Sequence, residues 1–186
     1  MKNKTDIIWL QKAESSNDEA RKAIDSLDNL SVVAVVNQTK GRGQGDHDWS
    51  TSPGQNLTFS IILKNLQLSA MVLPDISLET ARSVVDFLAS YRICARIKLP
   101  NDVYVGDNKI CGILIENSLK GGLIDWSIIG VGINVYQDSW PEWIPNPTSM
   151  TLESDIKGIP LELLLKEFLS IFVSRITALI SPSSAE

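Results

Sequence analysis

Apolar positions along the chain follow two rhythms, short runs on a two-residue beat and longer runs on a helical one, and these rhythms predict the order of elements. Ile7 to Leu10 reads as a short strand. Ser15-Ser16-Asn17 follows, where Ser16 and Glu19 form a capping box that opens a helix to about Leu27. Its apolar face carries Ala20, Ala23, Ile24 and Leu27. Val32 to Val36 is a β-branched run that reads as a buried strand, and Leu57 to Leu63 reads as another. The stretch between them, Asn37 to Asn56, is polar and rich in glycine. Leu78 to Ala89 is helical, with Leu78, Ala81, Val85 and Leu88 on one face. A strand from Arg96 to Leu99 stops at Pro100, and Val103 to Val105 with Lys109 to Ile115 reads as a hairpin turning at Gly106-Asp107-Asn108. Gly121-Gly122 marks a turn before a strand from Leu123 to Val135, interrupted by Gly130 and Gly132. Trp140 to Pro147 is a proline-rich loop pinned by Trp140 and Trp143, and Leu161 to Leu179 is an amphipathic helix before a disordered tail, Ser181 to Glu186. Hairpins clustered between spaced helices predict an α+β fold, a mostly antiparallel or mixed sheet with helices packed on one face. A doubly wound dinucleotide fold fits less well, because strands and helices do not alternate regularly.

Composition narrows the functional classes. With 186 residues the chain suits one domain that needs no disulfide or metal staple. Seventeen basic against 22 acidic residues leave a net charge of −5, which argues against nucleic-acid binding. No run approaches the roughly 20 apolar residues of a membrane span. The polar start, Met1 to Asp6, is no signal peptide. Cys94 and Cys111 sit in apolar runs and read as buried free thiols of a reducing cytoplasm. With one histidine, the ligand spacing of a zinc site is absent.

Four segments carry candidate chemistry. Lys40-Gly41-Arg42-Gly43-Gln44-Gly45 follows a buried strand, so its backbone N–H groups and the Arg42 guanidinium can cradle an anion; a plain flexible turn is the alternative. It is neither a P-loop nor a dinucleotide fingerprint. In Lys98-Leu99-Pro100-Asn101-Asp102, a lysine before a rigid turn is either a positioned charge for a developing phosphate anion or a surface lysine. In Lys109 to Glu116, Gly112 signals close approach of a ligand or a bulge. In Gly130-Val131-Gly132-Ile133-Asn134, two glycines bare the backbone, and Asn134 can bind a polar ligand or a nucleotide's metal. His47 reads as a solvated loop residue, Trp49 as a purine-stacking ring or a core anchor, and Asp18, Glu19, Arg21 and Lys22 as a solvated helix face.

Taken in order, Ser15-Ser16-Asn17, Gln38, Gly41-Arg42-Gly43, Trp49, Lys98 to Asp102, Lys109 to Glu116 and Gly130 to Asn134 resemble the biotin–protein ligase family over about residues 7 to 178. The resemblance implies the α+β fold shared with class II aminoacyl-tRNA synthetases. It also implies a two-step reaction: biotin and Mg-ATP give biotinyl-5′-adenylate and pyrophosphate, and the biotinyl group passes to a lysine of a carboxylase's biotin carrier domain. By the same likeness Ser15, Ser16, Asn17 and Gln38 bind the biotin rings, and backbone of Gly112, Ile113 and Leu114 lines the pocket. Arg42, Gly43 and Gln44 cover the carboxylate and α-phosphate with Gly41 and Gly45. Lys98 bridges those two groups and ranks first for catalysis, with Arg42. Trp49 packs on adenine, with Asn101, Lys109 and Asn134 near ATP or its Mg²⁺. Metal is expected with ATP, held by no cluster of protein ligands. A general base for the acceptor lysine is not evident.

The sequence departs from the family pattern in places. Gln44, Gly45, Asp46 and His47 stand where further arginines are common, and an acidic residue there weakens phosphate affinity. Leu99 replaces a tryptophan common before the proline. The expected organisation is a catalytic domain over 1–180 and a tail over 181–186, without the family's small C-terminal barrel or N-terminal winged helix. A cytoplasmic enzyme without DNA or membrane partners follows, with a homodimer through a sheet edge left open. Rival readings are a lipoate-type acyl-adenylate ligase and a catalytically silent biotin-binding module.

Overall fold

The computed structural model describes residues 6–45 and 48–180. Nine strands and four α-helices follow in the order β1 (Ile7–Ala13), α1 (Ser16–Lys22), β2 (Val32–Gln38), β3 (Gly41–Arg42), β4 (Asp48–Trp49), β5 (Asn56–Lys64), α2 (Leu73–Ser90), β6 (Ala95–Lys98), β7 (Asp102–Val105), β8 (Asn108–Lys120), β9 (Leu123–Asn134), α3 (Met150–Glu153) and α4 (Leu161–Ile180). Seven strands form one sheet in the order β1-β2-β5-β9-β8-β7-β6, and β3 and β4 make a separate two-stranded ribbon. β1 and β2 run parallel across the α1 connection, and the other neighbours are antiparallel. The α+β reading with a mixed, mostly antiparallel sheet therefore holds.

The two-residue beat of β5 decides which face is which. Leu57, Phe59, Ile61 and Leu63 point into the main core beneath α2 and α4. There the Phe168 ring meets Phe59 edge-on at 5.2 Å and Phe87 at 6.0 Å. Arg175 of α4 ties this layer to α2 by ion pairs to Glu79, at 3.0 Å, and Asp86. Burial tends to raise the Glu79 carboxyl's pKa, but hydrogen bonds from Arg82 and Arg175 outweigh it and hold the group below its ordinary range. On the opposite face α1 packs Ala20 against Val33, Ile62 and Ile128. The long helices thus share one face as expected, and the short α1 covers part of the other.

Several element boundaries differ from expectation. α1 ends at Lys22 instead of Leu27, where the backbone tightens to i→i−3 bonds, Ile24 N–H to Arg21 O at 3.3 Å and Ser26 N–H to Ala23 O at 3.0 Å, and Lys64 Nζ of β5 donates to the Ile24 carbonyl at 2.8 Å. Ile24 and Leu27 still pack on the sheet from outside the helix. α2 begins at Leu73, earlier than Leu78, with Pro74 preorganising its first turn. The polar 37–56 stretch contains the β3–β4 ribbon. Trp143 is 66% exposed and pins nothing. The 140–148 loop is held instead by backbone: Lys109 N–H donates to Asn146 O at 2.7 Å, and Thr148 N–H to Lys109 O at 2.9 Å. The Ser181 to Glu186 tail lies outside the described residues.

The thiols also part company. Cys111 is buried as expected, but Cys94 is exposed, because the chain leaves α2 through Arg92 at φ 61° and brings Cys94 to the surface just before β6. Burial pushes the Cys111 thiol far above its ordinary range. A maleimide is expected to label Cys94 in the native protein and to reach Cys111 only in denaturant. Equal native labelling of both, read by mass spectrometry, would contradict the packing around β8.

Candidate active site

The face of the sheet that α1 leaves uncovered carries the site. Register places Thr58 and Ser60 of β5 beside Gly132 and Gly130 of β9, and these beside Gly112 and Leu114 of β8. This strip nearly lacks large side chains, and two groups lie directly on it. A Cβ at Gly132 would stand 2.4 Å from Trp49 Cε2, and one at Gly130 would stand 2.4 Å from Asn17 Oδ1. At Gly112 the close neighbour is a side chain and not the ligand or backbone expected: its Cβ would come within 3.1 Å of the Trp49 ring. Trp49 is thereby an anchor on the sheet, and its Nε1 is buried without a hydrogen-bond partner.

Around this floor stands a cavity of about 380 Å³, walled by the start of α1, the end of β2, the β3–β4 ribbon and the turn between β6 and β7. All sequence candidates line it except Gly41, Lys98 and Asn134. Gly41 is buried within the ribbon, where a Cβ would meet Trp49 O at 2.4 Å and Gln38 Nε2 at 2.5 Å. Asn134 is buried and donates Nδ2 to Thr148 O at 2.9 Å. Lys98 is exposed on the β6 edge, with Nζ 4.5 Å over the Tyr104 ring and 3.5 Å from its hydroxyl. Pro100 and Asn101, which do line the cavity, lie between it and Lys98 in the chain, and the Leu99–Pro100 peptide is cis. His47 and Asp46 fall outside the described residues.

Polar groups of the wall are preorganised by one another. Ser16 N–H donates to Gln38 Oε1 at 2.8 Å, and Ser60 Oγ bonds both Ser16 Oγ at 2.8 Å and Asn17 Oδ1 at 2.5 Å. Asn17 Nδ2 donates to Glu116 Oε2 at 2.8 Å and Leu114 O at 3.3 Å. The expected Ser16–Glu19 capping box is not formed. The helix starts at Ser16 with Ser15 at the N-cap and no side-chain cap bond, so Ser16 and Glu19 lie one position past a capping box; Ser60 donates to Ser16 Oγ, and Lys22 pairs with Glu19 at 2.7 Å. Asn101 is clamped to β8 by Nδ2 to Ile113 O at 2.8 Å and by its carbonyl accepting Ile113 N–H at 2.9 Å.

Charge is balanced just as closely. Arg42 Nη2 lies 2.7 Å from Asp18 Oδ1 and 3.3 Å from Glu116 Oε2, and Glu116 also pairs with Arg21. Lys109 Nζ lies 2.7 Å from Asp102 Oδ1. Asp18 and Arg21 therefore pair with residues of the ribbon and of β8 and are not merely a solvated helix face. Thr58, Ser60 and Glu116 were not singled out as site residues; the polar beat at 58 and 60 in an otherwise apolar strand was the available signal. Among the described residues no three His, Cys, Asp or Glu side chains converge as a metal site.

A mixed sheet with a polar-walled cavity over a glycine floor is a concave site of small-molecule type, and comparison with known proteins gives its family. Residues 9–134 match the Biotin/lipoate A/B protein ligase family, and the chain belongs to that family. A curated "Biotin--[acetyl-CoA-carboxylase] ligase" of Paracoccus denitrificans is 31% identical over 129 residues, 68% of this chain and 53% of its own. A "Bifunctional ligase/repressor BirA" of Bacillus spizizenii is 34% identical over 58% of this chain and 33% of its own. The chain thus spans between a third and about half of these relatives. Among solved structures, biotin protein ligase from Aquifex aeolicus in complex with biotin and ATP superposes with a TM-score of 0.77 at 25% identity, over 96% of this chain and 73% of that one. The Leishmania major enzyme in complex with biotinyl-5-AMP gives a TM-score of 0.71 at 28% identity, over 92% and 75%.

Proposed function

We propose that the chain is the catalytic part of an ATP-dependent biotin–protein ligase. The carboxylate oxygen of biotin attacks the α-phosphorus of ATP and pyrophosphate leaves. The amine of an acceptor lysine on a biotin carrier domain then attacks the acyl carbon and AMP leaves. The observation that carries this reading is the convergence of Ser15-Ser16-Asn17, Gln38, Arg42 to Gln44 and Gly112 to Leu114 on a single cavity of about 380 Å³. Such a wall fits a compact polar ring system with an acidic tail.

In this reading Ser15, Ser16 and Gln38 meet the biotin rings, with Asn17 held against the floor by Ser60. Arg42 and the 43–45 backbone cover the carboxylate and α-phosphate. Trp49 faces the base, and Asn101 and Lys109 line the nucleotide side. Lys98 leaves Tyr104 to reach the reacting anion. Little covalent work falls to the protein, so positioning and charge stabilisation dominate. Mg²⁺ would come with the phosphates of ATP, and Asn134, expected near it, lies off the cavity wall. A thioester-forming lipoyl transferase is disfavoured, because the Cys111 thiol is buried and its ionisation opposed. The proposed setting is the cytoplasm; among the described residues no helix is long and apolar enough to cross a membrane.

The test is ligand-dependent ATP–pyrophosphate exchange with biotin and lipoate in parallel. Exchange with biotin alone is expected. Exchange with lipoate alone would move the chain to the rival ligase class, and biotin binding without exchange would leave a silent binding module.

A further inference from the structure

Both cations of the cavity wall are matched by carboxylates. Lys109 stands on Asp102, and Arg42 stands between Asp18 and Glu116. The Arg42 group is a closed quartet with Arg21, two positive and two negative charges. Its carboxylates are only partly exposed, Glu116 at 22% and Asp18 at 34%, while Arg21 and Arg42 are exposed, so the group is open to screening by salt from the guanidinium side. An anion entering the cavity meets no uncommitted cation on its described wall. It must take Arg42 from its carboxylates or bind beside them at a Coulombic cost.

We propose that Asp18 and Glu116 are positioning residues that hold Arg42 as resting counter-ions, so that capture of the substrate's anionic group proceeds by partner exchange at Arg42. This rests on the ligase reading above. Glu116 carries a second duty that makes it the centre of the device. The same carboxylate accepts Asn17 Nδ2 at 2.8 Å, so it joins the ring-binding end of the cavity to the anion-binding end. A ligand that draws Arg42 away leaves Glu116 to Arg21 and Asn17, which keeps the ring-side wall in place while the guanidinium moves. Asp18 has no such double role and contributes through charge alone, by way of Arg42.

Glu116→Gln separates charge from packing, because the amide oxygen can still accept from Asn17. The variant leaves Arg21, Arg42 and Asp18 with one net positive charge in place of none. Biotin Kd is expected to fall about fivefold at low salt, while Kd for biotinamide, whose carboxylate is a neutral carboxamide, stays within experimental scatter. The gain should shrink as salt is raised and vanish in the Arg42→Ala background. Asp18→Asn should shift the same ratio in the same direction without touching the Asn17 contact, and melting curves check that both variants fold. Titration calorimetry reads both ligands. Equal shifts for biotin and biotinamide, or an unchanged ratio in both variants, would overturn the proposal and leave Glu116 a structural residue. If the unaltered chain bound neither ligand, the ligase reading itself would fall, and this inference with it.

Discussion

Replacing Lys98 with alanine is expected to cut biotin-dependent ATP–pyrophosphate exchange by about two orders of magnitude or more, while biotin Kd changes far less. Removing a charge that acts on the transition state alone lowers rate without lowering ground-state affinity. The resting geometry adds a condition. Lys98 Nζ lies over Tyr104, away from the cavity wall, so it must exchange that ring for the reacting anion. An exposed cation–π contact is worth about 0.5–1 kcal/mol, small against the expected effect. Tyr104→Leu should therefore leave the rate within a few-fold of the unaltered chain. If Lys98→Ala lowered rate and affinity by the same small factor, Lys98 would be a binding residue. If Tyr104→Leu matched Lys98→Ala, the lysine would work where it rests.

Gly132→Ala is expected to be among the most damaging single-methyl changes in the site. The new Cβ would fall 2.4 Å from Trp49 Cε2 and 2.6 Å from Nε1, too close for a rigid ring to yield without leaving the sheet. Overpacking of this kind costs about 1–3 kcal/mol. Gly112→Ala approaches the same ring at 3.1 Å and should cost less. Urea unfolding followed by tryptophan fluorescence ranks the two. In a Trp49→Ala background, Gly132→Ala should add little, because its partner is gone. Equal losses in both backgrounds would mean that the glycine serves the strand and not the ring.

How much of this was legible in the sequence depends on the range of the interactions involved. β5 and β9 are plain in the sequence, because these central strands are buried on both faces over most of their length and read as near-continuous apolar runs. The family motifs picked out most of the cavity wall. What was missed lies in contacts between distant segments. The Ser16–Glu19 pattern is a sound local signal, yet the helix already starts at Ser16, and Ser60, 44 residues on, donates to the Ser16 hydroxyl. Asp18 and Arg21 look like an ordinary exposed helix face until the sheet brings Arg42 and Glu116 against them. Cys94 sits in an apolar run, but a left-handed turn at Arg92 decides its exposure. Lys98 stands out by its place before a rigid turn as well as by likeness, but no local pattern reveals that it rests on Tyr104.

The cavity wall is joined across most of the chain's length: Asn17 meets Glu116 over 99 residues of separation and Arg42 meets it over 74. Such a receptor cannot assemble before β8 and β9 have zipped onto β5, so a partly folded chain has almost no affinity for what the folded one binds. Occupancy and global folding are then thermodynamically linked. Ligand at a hundred times its Kd adds about 2.7 kcal/mol to the unfolding free energy of the whole sheet, slowing proteolysis far from the cavity as well as near it.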